Sequence, residues 1–151
     1  MGAAFFYHLT ERPLEATLPS LLTKSLAAGW RVAIRGPDRE RLDALDRALW
    51  LGEGFLPHGM AGGPHDAEQP VLLTVDEPVN GATCLMAIDG VDISLDAVRE
   101  MERVCVLFDA ASDAVLETAR GQWRMISDAG LTAQYWAEDG GRWVKKAESG
   151  D

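Results

Sequence analysis

Short apolar runs alternate along this chain with stretches in which apolar positions recur every three or four residues, the two spacings of strands and of amphipathic helices. "AAFFYHL" (residues 3–9) reads as a first strand. "RPLEATLPSLLTKSLAAG" (12–29) holds a helix, where Pro19 predicts a late start or a bend and Gly29 offers a left-handed stop. "WRVAIR" (30–35) is a second strand, and "PDRERLDALDRALW" (37–50) then places Leu42, Leu45 and Leu49 on one stripe. Pro37 and Asp38 stand where a fixed φ and a negative charge favour a first helical turn. After a loop to about residue 69 come strands "PVLLTV" and "TCLMAI", joined through the turn "EPVNGA", and a short helix around "SLDAVREM". The strand "RVCVLFD" (103–109) precedes a long helix from about Ser112 to Ala129, closed by Gly130. "LTAQYWA" and "RWVKK", either side of "EDGG", predict an edge hairpin, with "KAESGD" as a frayed tail.

Strands separated by helices imply right-handed crossovers. The expected fold class is α/β: a three-layer, doubly wound, mostly parallel sheet with helices on both faces. At 151 residues and 47% apolar content the chain suits one domain, expected over residues 1–146, with 147–151 as tail. No apolar stretch approaches the roughly 20 residues that cross a bilayer, and the N-terminus lacks the pattern of a signal peptide, so a cytoplasmic protein with no membrane partner is expected. Cys84 and Cys105 lie inside apolar runs, as buried reduced thiols do.

Charge refines this picture. The net charge is −10, but residues 48–119 hold two Lys/Arg against thirteen Asp/Glu, while the two flanking parts are near balance. A surface that coats nucleic acid is excluded, and any anion-binding patch is a local island near one end.

Candidate chemistry is sparse. The chain has no G-x-x-x-x-G-K-[ST], and no G-x-G-x-x-G follows a strand, so the fold is expected to resemble a nucleotide binder without its site, and no cofactor is expected. His8, His58, His65 and Asp109 are the residues an enzyme would use, Asp109 because strand C-termini carry the active sites of open α/β sheets. The histidines lack metal spacing and no Ser or Cys stands on a strand-to-helix elbow. A small enzyme or phosphate-binding protein working near Asp109 is the alternative reading.

Two constellations remain. On the long helix Leu116, Ala119, Trp123 and Ile126 form the apolar stripe, while Arg120 and Arg124 lie one turn apart beside Trp123. Spacing alone fits both a solvated basic flank and a carboxylate receptor with an aromatic shelf. Trp50 and Phe55, around the end of the second helix, fit either core packing or an exposed interface patch.

"FYHL", "GWRVAI", "LDRALW…FLPHG", "QPVLLT", "LFD…AR…W" and "YW", in that order, resemble the chi subunit of bacterial DNA polymerase III holoenzyme over nearly the whole chain. The resemblance implies a non-catalytic α/β subunit that joins the clamp loader through the psi subunit or another clamp-loader component. It also implies capture of the acidic, hydrophobic C-terminal tail of single-stranded DNA-binding protein, so that single-stranded DNA is reached indirectly. By the family pattern, Arg120, Trp123 and Arg124 would receive the tail, and Trp50 and Phe55 would face psi; the last aromatic of the tail is then expected against Trp123 and Phe108.

Overall fold

The computed structural model describes residues 2–51, 57–109 and 111–150. Its elements in chain order are β1 (Ala3–Leu9), α1 (Leu14–Ala27), β2 (Val32–Arg35), α2 (Arg39–Leu51), β3 (Gly59–Met60), β4 (Val71–Thr74), β5 (Cys84–Ile88), α3 (Leu95–Glu100), β6 (Arg103–Asp109), α4 (Asp113–Asp128), β7 (Thr132–Asp139) and β8 (Arg142–Ser149). They form one eight-stranded sheet in the order β3-β4-β2-β5-β6-β1-β7-β8, parallel except for the antiparallel β7–β8 pair. The expected α/β class is therefore what the chain adopts.

Helices cover both faces because the central strands are apolar on both sides. One cluster sets Leu18 and Leu22 of α1 and Leu42, Leu45 and Leu49 of α2 against Val32, Ile34, Met86 and Leu107. The other sets Val98 of α3 and Ala119 and Ile126 of α4 against Ala4, Phe6, Ala33, Val106 and Phe108. β4 and β5 are buried at every position, the continuous burial of parallel strands inside a sheet.

Local chemistry sets the element ends. Ser94 and Ser112 cap α3 and α4 by accepting the N–H groups of Ala97 and Val115. Gly29 and Gly130 follow the helices at φ +86° and +75°, the left-handed backbone their positions predict. α1 runs on through Pro19, which lies in its interior.

Three readings change. The predicted loop before β4 contains the edge strand β3, whose two residues pair with Leu72 and Leu73, and a 3-10 turn at Asp66–Glu68. The tail is strand: β8 runs to Ser149, with Ala147, Glu148 and Ser149 opposite Tyr135, Gln134 and Ala133. Backbone pairing across the β7–β8 hairpin overrides the tail-like composition. The buried side of α4 is Ala119, Gln122 and Ile126, with Leu116 and Trp123 half-buried at its margin. Gln122 reaches the interior because its amide donates to the Val91 carbonyl at 2.9 Å.

One buried carboxylate fixes the β1–α1 loop. The Glu138 side chain is fully shielded from solvent and meets the Arg12 guanidinium at 2.9 Å. Its Oε1 also accepts the N–H groups of Thr10, Glu11 and Arg12. Burial alone would raise its pKa; Arg12 and these N–H groups outweigh that and hold it below the ordinary value.

Candidate functional site

Strand register brings four aromatic rings together under α4. Phe6 faces Tyr135 across β1–β7, and His8 faces Phe108 across β1–β6. All four point to the α4 side, since alternate residues share a face. The Gln122 anchor fixes the helix rotation, so Trp123 meets Phe6 edge-on at 5.5 Å and Tyr135 at 5.9 Å between ring centroids. Tyr135 Oη and His8 Nδ1 are hydrogen-bonded at 2.8 Å, and the imidazole stacks on Phe108 at 4.8 Å.

Arg120 stands on the exposed flank of α4 beside Trp123. The His8 pKa is lowered by burial and then by the Arg120 cation, with Asp109 opposing. The Tyr135 pKa is raised by burial, with Arg120 opposing. Arg120 thus acts electrostatically on both partners of the Tyr135–His8 hydrogen bond. Its side chain is 56% exposed and bridges to Glu117 at 3.2 Å. An exposed pair three residues apart is worth only about 0.5 kcal/mol, so an incoming carboxylate competes with Glu117 easily. Arg124 is exposed one turn on, and no carboxylate among the described residues lies within ion-pair distance of it.

The arrangement differs in one respect from the sequence reading. Phe108 is only 1% exposed and lies beneath the His8 ring, so it supports the surface without forming it. His8 and Tyr135 take the place expected of Phe108. In the sequence His8 reads only as an enzymatic candidate and Tyr135 has no evident role, because the order β6-β1-β7 that joins them is a property of the fold.

A second surface lies at the end of α2. Trp50 is 52% exposed and Leu51 87% exposed, an adjacent pair of large apolar side chains facing solvent. The Trp50 indole packs at a tilt of 35° against His58, 4.2 Å between ring centroids, and Nε2 of the buried His58 lies 3.1 Å from Asp46. Asp46 and His58 thus support the indole, and its exposed companion Leu51 is not marked by any sequence pattern. Phe55, expected beside it, lies outside the described residues.

The residues of the enzymatic alternative are dispersed or structural. Asp109 is exposed and accepts the Ala111 N–H at 2.8 Å, closing the turn ahead of α4. His65 is exposed beside Glu68 at 3.4 Å. No group of three or more His, Cys, Asp or Glu that could hold a metal occurs among the described residues, and no helix there is long and apolar enough to cross a membrane. Cys84 and Cys105 are free, buried thiols.

Residues 1–134 match the family model described as DNA polymerase III chi subunit, HolC. The chain is also similar to DNA polymerase III subunit chi of Pseudomonas aeruginosa, at 30% identity over 119 residues, covering 76% of this chain and 79% of that one.

Proposed function

The chain belongs to the DNA polymerase III chi-subunit family, and on that footing we propose that it is the adaptor linking the clamp loader to single-stranded DNA-binding protein during replication. The family is one of accessory polymerase components not known to be catalytic themselves. In the proposed mechanism the terminal carboxylate of the partner's acidic tail lies on Arg120 and Arg124, while its last aromatic ring rests on Trp123, Tyr135 and His8. The observation that supports this reading is the exposed pair Arg120 and Arg124, one turn apart on α4, beside the half-buried Trp123 and its contacts with Phe6 and Tyr135. A guanidinium next to an apolar shelf selects a ligand that is both anionic and aromatic.

Shallow capture of a short peptide implies micromolar affinity, about −8 kcal/mol. Several tails on one oligomeric partner raise the effective concentration, so a weak contact holds the polymerase near coated DNA and still exchanges. DNA is then reached through a protein, which suits a net charge of −10. Trp50 and Leu51, with Phe55 nearby in sequence, form the proposed face toward psi or another clamp-loader component.

Thermal unfolding in the presence of candidate ligands tests this reading. An acidic peptide ending in Phe at about 100 times its Kd should stabilise the protein by about 2.7 kcal/mol. Stabilisation by ATP and Mg²⁺ instead would point to the strand ends near Asp109.

A further inference from the structure

The opposite face of the sheet carries a feature that the tail site does not use. On that side α1 packs against β2 and β6 and α2 against β3 and β4, and Phe5, Tyr7, Trp136 and Trp143 of β1, β7 and β8 line an open space beside α1. A parallel strand is normally covered on both sides. The space left beside α1 is a groove of about 610 Å³ walled by Phe5, Tyr7, Trp30, Trp136 and Trp143, with Arg103 among its lining residues. A volume of this size suits one small molecule.

Its charge is unlike that of the protein around it. No carboxylate is among the lining residues, although the chain carries ten more acidic than basic side chains. Of the three cations there, Arg12 is already engaged by Glu138. Lys24 is exposed and, like Arg103, has no ion pair among the described residues. The Arg103 guanidinium lies 3.9 Å from the Phe5 ring centroid and 5.1 Å from that of Trp30. Its Nε is buried with no acceptor among the described residues. Cation–π contact compensates only part of the hydration a guanidinium loses on burial, so an anionic acceptor would complete its surroundings.

We propose that this groove binds a small organic anion with a flat aromatic or apolar body. The ring system lies among the tryptophans and the anionic group meets Arg103 and Lys24.

The aromatic anion 8-anilinonaphthalene-1-sulfonate is a suitable probe, and the five tryptophans report its position. Three of them line the groove, whereas Trp123 lies at the α4 site and Trp50 at the end of α2. Fluorescence titration should give saturable binding, and the indole N–H signals of Trp30, Trp136 and Trp143 should shift at lower probe concentration than those of Trp50 and Trp123. Lys24→Glu, an exposed change that leaves the fold intact, should weaken binding about fivefold. Arg103→Met should weaken it about tenfold or more. Arg120→Ala should bind the probe as the unaltered protein does, which separates this site from the tail site. Binding that fails to saturate, shifts confined to Trp50 or Trp123, unchanged affinity in Lys24→Glu, or a loss in Arg120→Ala would each overturn the proposal.

Discussion

The Tyr135 hydroxyl and the His8 imidazole share a hydrogen bond of 2.8 Å across β1 and β7, and the charge of Arg120 acts on both. That relationship joins a helix flank to a sheet face, and it makes the proposed tail site measurable without any ligand. Burial and the Arg120 cation hold the His8 pKa below its ordinary value of 6.5. Removing the cation in Arg120→Ala should move the His8 pKa upward toward 6.5, followed by NMR titration of the imidazole. A bound carboxylate should do the same in the unaltered protein by neutralising Arg120. An unmoved His8 titration in Arg120→Ala would show that the guanidinium does not act there.

The paired exposure of Trp50 and Leu51 predicts a loss of association that leaves the fold intact. Leu51→Asp changes a side chain almost wholly in solvent, so thermal stability should stay within about 0.5 kcal/mol. Trp50→Ala should weaken binding to psi or the clamp-loader component by about 2 kcal/mol or more, as truncation of a central aromatic anchor does. Neither change should alter tail-peptide affinity. Co-purification with the partner and peptide titration on the same samples check both statements.

Glu138 predicts a pH-dependent stability. Its folded pKa is depressed below the ordinary value of 4.5, so the unfolded chain binds a proton more readily. The contribution is complete above that value and is lost as pH falls below it toward the folded pKa. Glu138→Gln should therefore cost about 2 kcal/mol at pH 7, lowering Tm by roughly 4 to 8 °C, because Arg12 and the N–H groups of the β1–α1 loop lose their buried anionic partner. The gap between the two proteins should narrow as pH falls below 4.5. A gap independent of pH would assign the loss to packing.

Much of this molecule is visible in its sequence because local chemistry agrees with the fold. The leucines of α2, the serine caps of α3 and α4, and the glycines after α1 and α4 each signal their element directly. What escapes is decided by partners distant in the chain. Gln122 is polar by type, and only the Val91 carbonyl makes its burial favourable. Residues 147–149 look like a tail until β7 supplies a pairing edge. His8 and Tyr135 are separated by more than 120 residues and meet only because β1 lies between β6 and β7, an order that no local pattern encodes. The same holds for the groove, whose tryptophans come from the β2 approach, β7 and β8.

The most direct test of the adaptor reading is titration of a labelled acidic peptide ending in Phe against the unaltered protein and Arg120→Ala at two ionic strengths. The unaltered protein should bind at micromolar strength and weaken with salt. Arg120→Ala should bind about tenfold more weakly, with a flatter salt dependence. Equal affinity and equal salt dependence in the two proteins would contradict the account.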